Sequence, residues 1–424
     1  MLLLGCGGTE PAPTDESGSV PAMSAEEGSA AADRITRLDS PVSPTGVHPV
    51  LDRGRDGVTR LLWTEPWKES GARLFVSRLD GDGFGPARRV VQLEDAFVNW
   101  ADVPTLSAMA DGTLCVTWLE KTSDGTYAYG VRYAVSRDGG VSWSSGAPAN
   151  GDGSEQASPA WLHTDRSDSE HGFVSTVALG DRFVAIWLDG RATGEGGPQQ
   201  LWSRSIHPDG SLGTETLVDD SVCDCCSTAL MVEADSDLTL LAAWRDRSHE
   251  EVRDIHWARL AGETWKPLGP VHADHWVIPG CPVNGPRLER VNETNLCVWT
   301  SGEARDGAWA APLVQGVPQE PMAVNAQPTL GRLGSAPISR GAVLVSWLEQ
   351  ESANRAVWRM RTIAENGPGS ISAGEPWTLA ATSASRSSGI LRLVSLGDQP
   401  GDGVLAAWND GEDGGILVAL IHAP

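Results

Sequence analysis

Short apolar segments that end in tryptophan recur along the chain and alternate with polar, glycine-rich stretches. Seven segments of this kind end at Trp63, Trp118, Trp187, Trp244, Trp299, Trp347 and Trp408. The intervals between these tryptophans are 55, 69, 57, 55, 48 and 61 residues. A repeat of this length, built of strands and turns, is typical of a β-propeller. No stretch sustains the spacing of an amphipathic helix. The pattern therefore predicts an all-β chain that forms a seven-bladed β-propeller of four-stranded antiparallel blades.

The order of segments within a repeat predicts how the ring closes. In each repeat the tryptophan segment is the second strand, and the last repeat stops at its third strand, residues 416–421. We expect residues 34–38 to supply the missing outer strand, because this leaves no open sheet edge between the first and last blades. Six blades is the alternative, since the fifth repeat is short and poor in β-branched residues.

Composition narrows the partners that the protein can have. The 424 residues include 48 Gly and 27 Pro, and the formal charge is −24. A negative field of this size repels phosphate backbones, so we expect no nucleic-acid partner. We expect a monomer.

The first residues predict a location. Residues 1–6, Met-Leu-Leu-Leu-Gly-Cys, resemble the end of a bacterial lipoprotein signal, and this resemblance implies that Cys6 is lipidated. Residues 7–32 have almost nothing to bury and predict a disordered acidic tether, which leaves residues 33–424 for the propeller. The protein would then face the periplasm or the exterior of a bacterial cell envelope, where disulfides are permitted. The alternative is a chance Leu-Leu-Gly-Cys.

One turn in the second repeat carries a family motif. Ser136, Asp138, Gly140 and Trp143 form the pattern S-x-D-x-G-x-x-W, which resembles the Asp box of the sialidase and BNR-repeat propellers. Asp and Ser side chains cap tight turns, and Gly tolerates positive φ. The motif is structural and carries no catalysis.

The resemblance implies a chemistry that this chain does not match. Sialidases use three arginines, an Asp acid/base and a late Tyr nucleophile paired with Glu, whereas the tyrosines here, Tyr127, Tyr129 and Tyr133, all lie in the second repeat. We therefore expect no enzymatic activity, and an exo-sialidase-like glycoside hydrolase acting on glycans is the alternative. The weak catalytic candidates are Asp246, Arg245, Arg247, Arg253, Glu120 and Tyr129.

An acid follows most of the repeat tryptophans by two positions. These residues are Glu65, Glu120, Asp189, Asp246, Glu349 and Asp410, and Ser301 is the exception. One interpretation is a ring of carboxylates around the end of the propeller that carries ligands in the sialidase superfamily. The other is an ion pair inside each blade with an arginine that starts strand three, such as Arg73, Arg253 or Arg355.

Cysteines are concentrated ahead of the fourth and fifth blades. The strings Cys-Asp-Cys-Cys (223–226) and Cys-Pro-Val-Asn-Gly-Pro (281–286) resemble those of a bacterial sialidase-like lipoprotein group. Three interpretations remain open: a disulfide such as Cys223 or Cys226 with Cys281, a thiolate–imidazole metal site, or a redox or catalytic thiol. The candidate metal ligands are Cys223, Cys225, Cys226, Cys281, His272 and His275. Soft sulfur ligands suit Cu or Zn, although no cofactor is certain.

We predict that Cys281 lies close to at least one of the other three cysteines, with Arg245 or Asp246 opening onto the same face. The loop over residues 245–254 could bind an anion through its arginines or satisfy itself as a salt-bridge network. The sequence thus favours a lipid-anchored, non-catalytic binding protein whose partner is a metal ion or a glycan. An envelope scaffold that binds another protein is a further alternative.

Overall fold

The tryptophan segments form the second strand of all seven blades, as the sequence predicts. The computed structural model describes residues 34–144, 160–233, 238–292, 294–302, 305–325, 327–338, 341–397, 403–409 and 414–422. The predicted lipidation site, the tether and Asp410 lie outside these residues.

The first four blades have the following strands. Blade one contains β2 (Val47–Arg53), β3 (Thr59–Trp67), β4 (Gly71–Asp80), the short β5 (Gly83–Phe84) and β6 (Arg88–Leu93). Blade two contains β7 (Thr105–Ala108), β8 (Leu114–Lys121), β9 (Tyr129–Ser136) and β10 (Ala160–Trp161). Blade three contains β11 (His171–Leu179), β12 (Arg182–Asp189), β13 (Gln199–Ile206) and β14 (Thr216–Val222). Blade four contains β15 (Ala229–Val232), β16 (Thr239–Arg245), β17 (Ile255–Ala261) and β18 (Thr264–Pro270).

The remaining blades follow the same order. Blade five contains β19 (Arg287–Val291), β20 (Thr294–Ser301), β21 (Gly307–Val314), β22 (Val317–Pro318) and β23 (Met322–Asn325). Blade six contains β24 (Gly331–Ile338), β25 (Ala342–Gln350), β26 (Arg355–Gly367), β27 (Ser370–Ala373) and β28 (Trp377–Ser383). Blade seven contains β29 (Arg392–Ser395), β30 (Val404–Asn409), β31 (Ile416–Ile421) and, as its outer strand, β1 (Ile35–Leu38).

Strand β1 closes the ring, as predicted. It pairs antiparallel with β31, with Ile35 opposite Ile421 and Leu38 opposite Val418. One further hydrogen bond joins the His422 amide to the Arg34 carbonyl at 2.9 Å. The edge that blade seven would otherwise expose is therefore paired.

Packing between blades explains why the second strands are apolar at consecutive positions. In β12, Ile186 and Leu188 pack towards blade four, where they meet Trp244 of β16. The alternate residues Ala185 and Trp187 pack towards blade two. Successive side chains of a strand point to opposite faces, so a strand between two blades must be apolar on both.

The acids that follow the tryptophans serve the blades themselves. The indole N–H of Trp187 donates to Asp189 at 2.7 Å, and that of Trp63 donates to Glu65 at 3.0 Å. Positions two apart on a strand share a face, so in these blades the acid accepts from the indole of its own blade. Among the described residues, the indole N–H groups of Trp118 and Trp244 have no hydrogen-bond partner, so Glu120 and Asp246 do not follow this pattern. The arginine partners differ from the predicted ones: Arg132 pairs with Glu120, Arg191 with Asp189 and Arg359 with Glu349.

Blade five shows the same solution by another route. Its tryptophan, Trp299, has Ser301 two positions later, and its indole N–H instead donates to Asp274 at 2.7 Å. Asp274 precedes the blade in the chain and is almost completely buried. The indole therefore receives a carboxylate even where the local pattern fails.

The predicted Asp-box turn is held by its own side chains. The Ser136 hydroxyl donates to Asp138 at 2.8 Å, and the Gly140 amide donates to the Ser136 hydroxyl at 2.8 Å. Asp138 also accepts the Ser142 hydroxyl at 2.6 Å and the Ser142 amide at 2.9 Å, and these bonds lower its pKa to about 2. Gly140 has φ of +88°, and Trp143 packs against the core of blades one and two. The turn lies at the end of the propeller opposite the loops that join second and third strands.

The structure also bears on membrane insertion by helices. Among the described residues, no helix has the length and apolar character needed to cross a membrane.

Candidate functional site

The segments that lead into blades two to five meet around the propeller axis at one end of the ring. Trp100, ahead of blade two, lies under the guanidinium of Arg332 from blade six, 4.6 Å from its ring centroid. These blades are not neighbours, so their side chains meet over the mouth of the central channel. Cys225 and Val283 pack against the same core as Trp100. We call this end of the propeller the ligand face.

Three cysteines converge ahead of blade four. The Cys223 sulfur lies 3.8 Å from that of Cys225 and 3.5 Å from that of Cys226, and all three sulfurs lie within 4.8 Å of one another. Cys223 and Cys226 are buried, whereas Cys225 is half-buried. None of the six cysteines that the structure describes forms a disulfide.

Cys281, ahead of blade five, reaches the same cluster. Its sulfur, the Cys225 sulfur and a carboxylate oxygen of Asp224 lie within 4.8 Å of one another, and the distance from Cys281 to Asp224 is 4.0 Å. Cys225 therefore belongs to both groups, and the four sulfurs with Asp224 form one cluster. We call it the thiol cluster. The convergence of Cys281 with the other cysteines agrees with the sequence-based expectation.

The two candidate histidines have other contacts. His272 has Asp274 at 2.8 Å from Nδ1 and Arg305 at 3.0 Å from Nε2, so both ring nitrogens have partners. His275 donates its backbone amide to Asp254 at 3.1 Å. In the described parts of the chain, neither joins the cysteines in a group of ligand atoms within 4.8 Å.

A guanidinium stabilises the thiolate form of Cys223. Arg253 donates from Nη1 to the Cys223 sulfur at 3.1 Å. Hydrogen bonds from the Cys225 and Cys226 thiols, together with the Arg253 charge, hold the pKa of Cys223 well below its usual range. Burial raises the pKa of Cys226, and the hydrogen bond to Cys223 raises that of Cys225. One thiolate thus accepts from two thiols and one cation.

The candidate arginines of the 245–254 loop form their hydrogen bonds within the protein. Glu251 accepts from Arg247 and from Arg253, each at 2.7 Å. Arg245 is buried and donates to the carbonyl oxygens of Arg253, Asn284 and Thr300. The arginines of this loop therefore form a self-satisfied network, one of the two alternatives that the sequence left open.

Asp246 and Glu120 lie away from the thiol cluster. Asp246 comes within 4.8 Å of Asp219 and His256 between blades three and four, and burial raises its pKa to about 7. Glu120 forms an ion pair with Arg132 at 3.0 Å.

Tyr129 contacts two acids, Glu170 and Asp102, and not the other candidate Glu120. Its hydroxyl donates to Glu170 at 2.5 Å and lies 3.4 Å from Asp102. Burial, followed by these two carboxyl groups, raises the pKa of Tyr129 well above its usual value. Its ring stacks on Phe97 with centroids 3.8 Å apart, and the residue is only 1% exposed.

Glu170 connects this tyrosine with the thiol cluster. Burial raises the pKa of Glu170 to about 7, and the neighbouring Asp224 and Cys281 act in the same direction. Sequence reasoning missed Glu170, Asp102 and Glu251. Glu170 and Asp102 lie just ahead of strand one of blades three and two, the position that drew attention to the cysteines, so a search of those segments for acids would have found them.

The fold defines the class of this protein as a seven-bladed β-propeller. The sequence matches no protein-family model and no curated protein. A protein of unknown function from Dyadobacter fermentans has a similar structure, with a TM-score of 0.50 and 12% identity over 76% of this chain and 94% of that chain.

Glycoside hydrolases are also among the similar structures. An α-L-arabinanase from Penicillium chrysogenum has a TM-score of 0.47 and 10% identity, and the match covers 92% of this chain and 97% of the arabinanase. A sialidase from Trypanosoma rangeli has a TM-score of 0.45 and 10% identity over 80% of this chain and 55% of that one.

Proposed function

We propose that this protein is a lipid-anchored envelope protein that binds a soft metal ion, Cu(I) or Zn(II), through the thiol cluster of its ligand face. The observation that carries the proposal is the spacing of the sulfurs. Two sulfurs that bind one ion at about 2.3 Å lie about 3.7–4.0 Å apart in tetrahedral or trigonal geometry. The distances from Cys223 to Cys225 and Cys226, 3.8 and 3.5 Å, are close to this spacing.

The charge around the cluster supports the same proposal. Thiolates are the metal-binding form of cysteine, and the Arg253 guanidinium, 3.1 Å from the Cys223 sulfur, favours that form. A bound cation would take the place of the protons on Cys225 and Cys226. Cys225 also forms a group with Cys281 and Asp224, so either of these two side chains would become the fourth ligand after a shift towards the other sulfurs.

A glycosidase function has less support. Tyr129 and Glu170 are a residue pair that a sialidase-type reaction would need, and they lie on the ligand face. However, a sugar cannot reach a tyrosine that is 1% exposed, and the raised pKa of Tyr129 opposes formation of a nucleophilic phenolate. We therefore place the function in binding and not in turnover.

Metal binding to the full chain tests the proposal. The protein would be purified in detergent with a reductant and without added metal, then titrated with Zn(II) or Cu(I) against a chromophoric chelator. We expect at least one equivalent per chain, and loss of binding in Cys223→Ser and Cys226→Ser. Cys297→Ala, which changes a buried thiol of β20, is the matched control and should bind normally.

A count of free thiols distinguishes the metal site from the disulfide interpretation. If the denatured protein, purified without reductant, has lost four thiols as two disulfides, and the reduced form binds neither metal, the cluster is a structural disulfide site and the proposal is wrong.

A further inference from the structure

A channel of about 310 Å³ runs along the propeller axis, inside the ring and below the contact between Trp100 and Arg332. Its walls come from the first strands of the blades or from the residues just before them. The lining includes Leu51 and Asp52 of blade one, Thr105 of blade two, Ser175 of blade three, Leu230 of blade four, Arg287 of blade five, Ser335 of blade six and Arg392 of blade seven. The channel is distinct from the thiol cluster, none of whose residues line it.

Two arginines of the channel lack a carboxylate partner. Within the described chain, the side chain of Arg392 forms no hydrogen bond and no ion pair, whereas its backbone pairs with Ala407 of β30. Arg287 donates to the carbonyl oxygen of Leu333 at 2.8 Å and approaches the Ser227 hydroxyl at 3.5 Å, and no carboxylate oxygen of the described residues lies within 4 Å of it. Each of the two arginines is the first residue of an innermost strand, β19 or β29, and therefore lies beside the channel axis.

Arg287 and Arg392 line the same channel, so the charge of one acts on the other. Burial, and then the charge of Arg287, lowers the pKa of Arg392 to about 9. Two like charges beside a narrow channel are costly without a counter-ion, because water cannot fully solvate them there.

The acids in or near the channel do not supply that counter-ion. Asp102, which lines the channel, accepts the Phe173 amide at 2.8 Å and lies 3.4 Å from the Tyr129 hydroxyl. Glu289 accepts from the Ser335 hydroxyl at 2.7 Å, and burial raises its pKa to about 7 even though the Arg287 charge acts against this. Burial likewise raises the pKa of Asp52 to about 7, and the nearby arginine is Arg60, outside this pair. These carboxyl groups are partly protonated at neutral pH and leave positive charge around Arg287 and Arg392. This is a local excess in a chain whose formal charge is −24.

We propose that the channel binds a small oxyanion of the sulfate or phosphate class between Arg287 and Arg392. A dianion matches two guanidinium groups in charge, and guanidinium N–H groups suit the oxygens of such an anion. The Ser227 hydroxyl, next to Arg287, is placed to donate a further hydrogen bond. This site is independent of the proposed metal function, because it uses other residues and the opposite charge.

Sulfate binding to the full chain tests this site. Equilibrium dialysis of chelator-treated protein with labelled sulfate should show one equivalent bound, and phosphate should compete. Sulfate should raise the melting temperature of the wild type more than sodium chloride of equal ionic strength does, because a ligand that binds the native state stabilises it.

Two variants separate a specific site from a general salt effect. Arg392→Gln should weaken sulfate binding at least tenfold and should melt at a higher temperature than the wild type without sulfate, because the repulsion with Arg287 is gone. Arg137→Gln removes one exposed charge from the Asp-box turn at the other end of the propeller and should behave like the wild type.

Sulfate binding that is absent from the wild type, or equal in the wild type and both variants, would overturn the proposal. If Arg392→Gln does not fold, sulfate binding is compared between the wild type and Arg287→Gln. Weaker binding in Arg287→Gln, with one equivalent bound to the wild type, supports the site, and equal binding overturns it. Binding that persists in Cys223→Ser would show that failure of the metal proposal does not affect this one.

Discussion

The carboxylate of Asp189 provides the sharpest test of how the blades are held together. It is completely buried and accepts from the Trp187 indole at 2.7 Å, and from Nε and Nη2 of Arg191 at 2.8 and 2.7 Å. The substitution Asp189→Ala removes these acceptors at once. It leaves a buried indole N–H unsatisfied and a guanidinium without its main partner.

The expected cost follows from these contacts. Breaking a buried charge pair by removing one partner costs about 3–5 kcal/mol. The Arg191 side chain is 21% exposed and keeps its ion pair with Glu215 at 3.0 Å, so part of its charge stays compensated. We therefore expect the lower end, about 3 kcal/mol, which is roughly a hundredfold change in the unfolding equilibrium. Urea unfolding at pH 7, followed by tryptophan fluorescence, measures it.

A matched ion pair on the surface is the control. Glu263 pairs with Arg182 at 2.8 Å but is 79% exposed, so Glu263→Ala should cost less than about 1 kcal/mol. If Asp189→Ala costs no more than Glu263→Ala, the buried acids do not stabilise the blades and our explanation of the tryptophan–acid pattern is wrong.

The same contact predicts a pH dependence. Burial alone would raise the pKa of Asp189, but the hydrogen bonds and charge of Arg191, with His171, hold it below its usual value. A lowered native pKa gives stability that is present above the unfolded pKa of about 3.9 and is lost as the pH falls through the native value. The difference between wild type and Asp189→Ala should therefore be complete at pH 7 and shrink below about pH 4.

Three other predictions concern the anchor, catalysis and ring closure. Full-length protein expressed from its own upstream start should partition with membranes into detergent, and Cys6→Ser should release it; a soluble wild type would contradict the anchor. A fluorogenic sialoside should show no turnover above buffer, because Tyr129 is buried; robust turnover that Tyr129→Phe abolishes would contradict a pure binding function and assign Glu170 as the partner. In β1, Thr36 pairs with Leu420 of β31, and the substitution Thr36→Pro removes its backbone donor. This variant should lower the melting temperature more than Thr45→Pro, which changes the loop after β1. Equal shifts would mean that β1 does not hold the ring closed.

The fold could be predicted because its main determinant is local and repeated. A strand between two blades is apolar on both faces, so consecutive apolar residues such as Ala185, Ile186 and Trp187 predict it from the sequence. The closing strand could also be predicted, because a ring with one strand missing from its last blade must recruit it from the other end of the chain. Both arguments need only the period and the polarity of the residues.

The contacts at the ligand face depend on residues that are distant in sequence. Cys281 could be assigned to the cluster because its position ahead of a blade matched that of Cys223. The acidic partner of Tyr129 could not be assigned in this way. Glu170 belongs to another blade, and the distance between its carboxyl group and the Tyr129 hydroxyl depends on the twist between the blades. The replacement of the missing acid by Asp274 is similar, since that residue comes 25 positions before Trp299. A periodic pattern predicts which end of the ring a residue occupies, but not which side chains touch across it.

The pairing of β1 with β31 also has a mechanical consequence. A pulling force on the chain ahead of residue 34 acts directly on β1. This strand is joined to β31 by four residue pairs. If residues 7–32 form a tether from a lipidated Cys6, their extended length of up to about 90 Å lets the propeller move freely near the membrane until the tether is taut. Beyond that length the load falls on β1, so the strand that closes the ring would be the first to yield.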